Sequence, residues 1–188
     1  MSSALKLQIV GLCILAAFPL FGGGQALLEA ELHWLGLFMC LSNSVAVTTI
    51  GFLMRPVITT TAPHTGNIYL VARITEGVLL GISAMVFQSR FLGFTMTSDV
   101  FYQLGMIALG LGSLPMCRWL IGSKLVPPLL GGLGIVGYLC LIAAMIASAN
   151  GSETAPMALL LPGAVFEVMF GLILVLRGRK VWMPHLSR

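Results

Sequence analysis

The chain has 188 residues, of which 58% are hydrophobic and only 9% charged, with a net charge of +4 and a mean hydropathy of +1.02. Water-soluble domains carry roughly a quarter charged residues, so too few charges exist here to cover a surface in water, and lipid is the solvent for most of the chain. All but one of the ten basic residues are scattered at the ends of apolar runs, where a membrane protein keeps them, and they form no basic face for nucleic acid.

A membrane-crossing helix needs roughly 20 mostly apolar residues. Six stretches qualify: 7–24, 33–54, 67–88, 100–122, 125–147 and 157–176. The expected fold is therefore all-α, a polytopic bundle of six transmembrane helices in one membrane-embedded domain over 1–188. The first stretch, Lys6 followed by an apolar run and "GGGQA", has the outline of a signal peptide. Counting it as a helix makes the charge pattern below consistent. The second begins beside Trp34, a suitable interfacial anchor like Trp182 near the other end of the chain. It carries Asn43 at its centre, between Ser42 and Ser44. Serines on a helix bond back to their own carbonyls, so neither reads as a nucleophile.

The link "RPVITTTAPHTG" is rich in threonine and proline and is expected to stay non-helical. The third stretch contains "YLVARITEG", which places Arg73 and Glu76 in an otherwise apolar run. Gly77 and Gly81 form a GxxxG pattern for close helix contact, expected within one chain rather than between protomers. The fourth and fifth stretches are separated by little more than Ser123 and Lys124, so they should be antiparallel neighbours. "GGLGIVG" after Pro127 and Pro128 reads as a closely packed fifth helix. No lysine follows it, as a phosphate loop would require. Tyr138 is mid-span there. A polar turn, "SANGSETAP", precedes the sixth stretch and holds Asn150-Gly-Ser, a glycosylation sequon in a host that glycosylates. Glu167 lies inside the sixth stretch.

Orientation follows from the basic residues. With a cytoplasmic N-terminus, Lys6, Arg55, Arg118, Lys124, Arg177, Arg179, Lys180 and Arg188 all fall at cytoplasmic ends, eight of the ten. Only Arg90 falls outside, and Arg73 is within a span. Glu29, Glu31, Asp99 and Glu153 land outside as well. Both termini are expected to be cytoplasmic.

At about 1.5 Å per residue, Arg73 lies roughly 9 Å and Glu76 roughly 14 Å into the third span, and Glu167 roughly 15 Å into the sixth from the opposite face. All three approach the centre of a hydrocarbon core about 30 Å thick. A charge in hydrocarbon costs on the order of 3 kcal/mol even on the lenient insertion scale. These side chains should therefore face one another inside the bundle. Arg73 and Glu76, at i and i+3, can pair on one helix face, and the guanidinium fork can also reach Tyr69 or Asn43. One arginine against two glutamates leaves a carboxyl over, so Glu76 and Glu167 are expected to share a proton and titrate as a coupled pair.

Three readings stay open. The cluster is a polar clasp between helices three and six, or the head site for a lipid-like or isoprenoid molecule, or the centre of a small proton-coupled transporter. In the second reading the candidate binding residues are Arg73, Glu76, Glu167, Tyr138, Asn43 and Tyr69. Arg73 would anchor an anionic or carbonyl oxygen there. An enzyme is disfavoured, because there is no His/Asp cluster for a membrane metallohydrolase and no nucleophile–base pair. His33, His64 and His185 are placed at a span edge, in a loop and in the tail, so no pair can ligate haem. Cys13, Cys40, Cys117 and Cys140 each fall in an apolar run and read as small packing residues. No cofactor or metal is implied. The partners expected are membrane lipid and a lipophilic small molecule, with a homo-oligomer or a membrane-complex partner left open, and no nucleic acid.

Three stretches, "SNSVAVTTIGFLMRPV" with "IYLVARITEGVLLG", "GSKLVPPLLGGLGIVGYL" and "LLLPGAVFEVMFGLILVLRG", carry a likeness from about Leu41 to Gly178. In order and spacing the chain resembles the bacterial membrane family called domain of unknown function 4386. It is similar in the Arg-x-x-Glu span, the Ser-x-x-x-Pro link into a glycine-rich span, and the Pro-x-x-x-x-Glu final span. The resemblance implies a multi-span helical protein of a bacterial cytoplasmic membrane, with Arg73, Glu76 and Glu167 at the motif's polar positions. It implies no activity.

Overall fold

The structure, a computed structural model, describes residues 3–30, 32–89, 98–123, 126–152 and 155–181. Glu31, Arg90, Lys124, Glu153, Trp182, His185 and Arg188 lie outside the described residues, as do the side chains of Arg177, Arg179 and Lys180. Six helices make up the fold: α1 (Ser3–Glu29), α2 (His33–Thr59), α3 (Pro63–Ser89), α4 (Ser98–Ser123), α5 (Pro128–Ala149) and α6 (Ala155–Val181). All six are long and apolar enough to cross a membrane. A helix of 27 residues, such as α3, is about 40 Å long and exceeds the roughly 30 Å hydrocarbon core. The chain is a multi-pass membrane protein.

The helices run further than the apolar stretches alone suggested. α1 continues through Gly22, Gly23 and Gly24 to Glu29, where Gly23 and Gly24 pack on α2: a Cβ on Gly24 would meet Cys40 Sγ at 2.7 Å. α2 passes through Arg55 and Pro56 and stops only at Thr59, and α3 starts at Pro63. Most of the threonine- and proline-rich link is therefore helical. Pro63 opens a helix, where its missing N–H is no loss. Pro56 forfeits one hydrogen bond in the last turn, where Thr59 and Thr60 hydroxyls donate to the carbonyls of Pro56 and Val57. In the other direction, α5 begins at Pro128 rather than Leu125, with Pro127 as its N-cap. Gly151, at φ +82°, ends the turn after α5 in the left-handed region that glycine adopts without cost.

Each helix packs against the next in sequence, and α6 packs back on α1, so the six close into a ring. Glycines set the spacing at the seams. Gly77 lies against Ser44 and Thr48 of α2, so the GxxxG face is used within the chain. At the α5–α6 crossing, a Cβ on Gly137 would sit 2.6 Å from Gly163 Cα, and at the α1–α6 crossing one on Gly11 would sit 2.6 Å from Gly171 O. All six helices feed one apolar core, from Leu7, Val10 and Ile14 of α1 to Phe166, Phe170 and Leu174 of α6. A smaller cluster, Leu28, Cys40 and Ala84, joins α1, α2 and α3. The outer surface keeps large apolar side chains exposed, including Trp34, Phe38, Leu129 and Leu176, as a lipid-facing surface should. The four cysteines are free thiols, and Cys117 packs in the core.

Candidate functional site

The polar cluster sits halfway along the bundle. Counting about 1.5 Å per residue, Glu76 is roughly 20 Å from the start of α3 and Glu167 roughly 18 Å from the start of α6. Arg73 is 3% exposed and Glu76 2%. Burial of both charges is tolerable because they meet: Arg73 Nη1 donates to Glu76 Oε2 at 2.9 Å. Arg73 Nε donates to Tyr69 Oη, also at 2.9 Å, and Arg73 Cζ lies 5.3 Å from the centre of the Tyr69 ring. The third guanidinium nitrogen, Nη2, is 3.9 Å from Glu167 Oε1. One planar fork thus faces a phenol and two carboxylates at once, with its donors held in a fixed geometry. Glu167 is the least enclosed member, with 21% of its side chain exposed. Its Oε1 accepts a hydrogen bond from Tyr138 Oη at 2.9 Å.

Close backbone approach makes this possible. Gly51 of α2 faces Arg73 so tightly that a Cβ there would lie 2.7 Å from the arginine Cβ. Gly105 and Gly112 bring α4 against the Glu76 backbone and Ala72. On the far side, Tyr138 is fixed edge-on against Phe166 with ring centres 5.7 Å apart, and Phe166 stacks on Phe170 at 5.6 Å.

A cavity of about 290 Å³ opens beside the cluster. Arg73, Glu76, Glu167 and Asn43 line one part of it. The rest is apolar, walled by Ile14, Ala17, Phe18 and Phe21 of α1, Val47 and Ile50 of α2, Leu80 of α3, and Tyr102, Met106 and Leu109 of α4. Phe21 and Tyr102 stack at 5.3 Å across the ring from α1 to α4. Asn43 is 3% exposed, and its Oδ1 is buried without a hydrogen-bond partner among the described residues. A native fold rarely leaves such an atom unsatisfied without cause.

Of the six residues expected at the site, Arg73, Glu76, Glu167 and Asn43 share the cavity. Tyr69 and Tyr138 do not line it; each holds a charged group from behind. The guanidinium turns to Tyr69 and not to Asn43. Ser42 and Ser44 bond back to Phe38 and Cys40 carbonyls. His33 Nδ1 is 2.9 Å from Leu28 O, and His64 is exposed. Among the described residues no group of three His, Cys, Asp or Glu side chains is placed to hold a metal. Gly51 and the aromatic wall of Phe18, Phe21 and Tyr102 were not singled out from the sequence. α1 is apolar all round, so no periodic face marks its cavity side, and a glycine next to a buried arginine is visible only once the helices are paired.

Residues 25–178 match the profile of a family described as "Domain of unknown function (DUF4386)". The matched region takes in α2 to α5, most of α6 and every polar side chain of the cluster, while the α1 wall of the cavity precedes it. No curated protein and no solved structure matches the chain.

Proposed function

The chain belongs to the domain of unknown function 4386 family, and from its geometry we propose that it is a membrane-embedded binding protein holding a small amphiphile with its polar head at mid-membrane. One observation carries this reading: a buried polar atom with no partner among the described residues, Asn43 Oδ1, belongs to a side chain that borders the same apolar cavity as the charged cluster. A clasp that only joined helices would satisfy its own polar groups, as Tyr69 and Tyr138 do for Arg73 and Glu167. The cavity is near the lower end of the size range of small-molecule sites, roughly 300–1,000 Å³, and has their character: apolar walls with a few convergent polar groups. The head rests against Asn43, Glu76 and Glu167, and the tail lies along Phe18, Val47 and Met106.

Native mass spectrometry of the protein released from detergent tests this. The expected result is a retained small molecule, lost when Ala17→Phe fills the cavity. Protein that carries no adduct, and whose spectrum is unchanged by that substitution, supports the clasp instead.

Proton-coupled transport is the second reading. The imbalance of two carboxylates against one guanidinium favours it, since Glu167 is the member with its side chain partly open. Transport predicts a pH-dependent flux in vesicles that Glu76→Gln removes; binding alone predicts none. For either reading we place both termini in the cytoplasm, on the distribution of basic residues. A C-terminal reporter that is active only in the cytoplasm is expected to be active; activity solely of an external reporter reverses the topology.

A further inference from the structure

The amphiphile-binding reading leaves the chemistry of the head open, and the hydrogen bonds inside the cluster narrow it. Every guanidinium nitrogen of Arg73 already faces a partner within the protein: Nε to Tyr69, Nη1 to Glu76 and Nη2 toward Glu167. Two carboxylates lie against its fork, so its positive charge is already offset within the cluster. The cavity also holds acceptors that are not in use. Among the described residues, Asn43 Oδ1 has no hydrogen-bond partner. Glu76 uses Oε2 on Arg73, and Glu167 uses Oε1 on Tyr138. Each carboxylate therefore has a second oxygen for a donor that enters the cavity. Charge points the same way, since the charged residues lining the cavity are Arg73, Glu76 and Glu167, and without a shared proton two carboxylates outweigh one guanidinium. An anionic head would add to that excess in a low-dielectric site, where like charges repel strongly. A cationic head removes it.

We infer that the cavity selects a lipophilic monocation, a protonated amine on a short apolar tail, over anionic or neutral amphiphiles of the same length. The ammonium has three N–H donors, and Asn43 Oδ1 and the second oxygens of Glu76 and Glu167 are the acceptors available to them. It supplies the missing positive charge in place of a proton shared between the glutamates. Phe18, Phe21 and Tyr102 are on the cavity wall, and aromatic rings suit a cation in transit, because a ring face attracts positive charge. At about 30 Å³ for each water-sized unit, the cavity takes roughly ten non-hydrogen atoms, so an eight-carbon tail with its head is the matching length.

The inference rests on the binding reading, and one experiment separates the two. The protein in nanodiscs is titrated with octylamine, octanoate and 1-octanol, with saturable binding read by ligand-observed NMR. Octylamine is expected to bind at least tenfold tighter than octanoate, with octanol between them. Glu167→Gln keeps the acceptor for Tyr138 and is expected to weaken octylamine about tenfold while leaving octanol unchanged. Asn43→Leu removes the free acceptor at an already unsatisfied position and is expected to weaken octylamine as well, so the test does not depend on one variant folding. Octanoate binding as tightly as octylamine, or octylamine affinity untouched by both substitutions, overturns the preference for a cation and leaves the pocket in place. Absence of saturable binding by all three probes overturns the pocket itself, and the inference with it.

Discussion

Replacing Arg73 with methionine is expected to cost about 3–5 kcal/mol of stability, the usual penalty for breaking a buried ion pair from one side. Arg73 and Glu76 are almost fully enclosed, so the variant strands a carboxylate in hydrocarbon and leaves Tyr69 Oη without its donor. Glu167 loses a charge 3.9 Å away. The double variant Arg73→Met with Glu76→Met should be far less impaired, because well-packed apolar side chains replace a buried ion pair at little cost or none. Thermal unfolding in one detergent, measured for both single variants and the double, gives the coupling energy directly. If Arg73→Met unfolds within a degree of the parent, the cluster is not what holds α3 to α6.

A second large effect is expected at the α5–α6 crossing. Gly137→Val places a side chain where Gly163 Cα and N lie 2.6 and 2.7 Å from the position of the new Cβ. The obstacle is backbone, which cannot rotate away as a side chain can. Overpacking of this kind costs typically 1–3 kcal/mol and sometimes more. It also separates Tyr138, the next residue, from Glu167, so the cavity should lose affinity along with stability. Gly132→Ala is the control on the same helix. Nothing lies within 4 Å of its Cβ position, and removing a helical glycine is worth roughly 0.5–1 kcal/mol in favour of the fold. The two variants should move the unfolding temperature in opposite directions. Equal shifts would mean that α5 and α6 do not cross at Gly137.

How much of this could be read from the sequence depends on the range of the interaction. Six spans were legible because a stretch long enough to cross a bilayer is unmistakable at this hydropathy. Helix ends were not, because Pro56 and Pro63 look like breakers in isolation, yet one falls in a last turn and the other at a first position, where proline is tolerated. The Arg73–Glu76 and Arg73–Tyr69 contacts follow from i,i+3 and i,i+4 spacing on one helix. Tyr138 to Glu167 joins two helices, and depth alone placed both at one level without saying that they touch. Asn43 was recognisable as unusual, whereas its lack of a partner emerges only from the packing of α1 and α3 around it. The apolar walls carry no mark at all, since a phenylalanine facing a cavity and one facing lipid are chemically the same.

The meeting of Gly11 with Gly171 has a consequence for how the protein is made. At roughly 5–20 residues per second, the ribosome finishes α6 on the order of ten seconds or more after α1 has entered the bilayer. Arg73 and Glu76 neutralise each other as soon as their own helix forms, so that half of the cluster can be inserted without help. Glu167 arrives last, and only its docking between α5 and α1 completes the chamber. Nascent protein stalled before residue 155 should therefore sit in the membrane as an open crescent, with the inner surface of its first helix exposed to lipid.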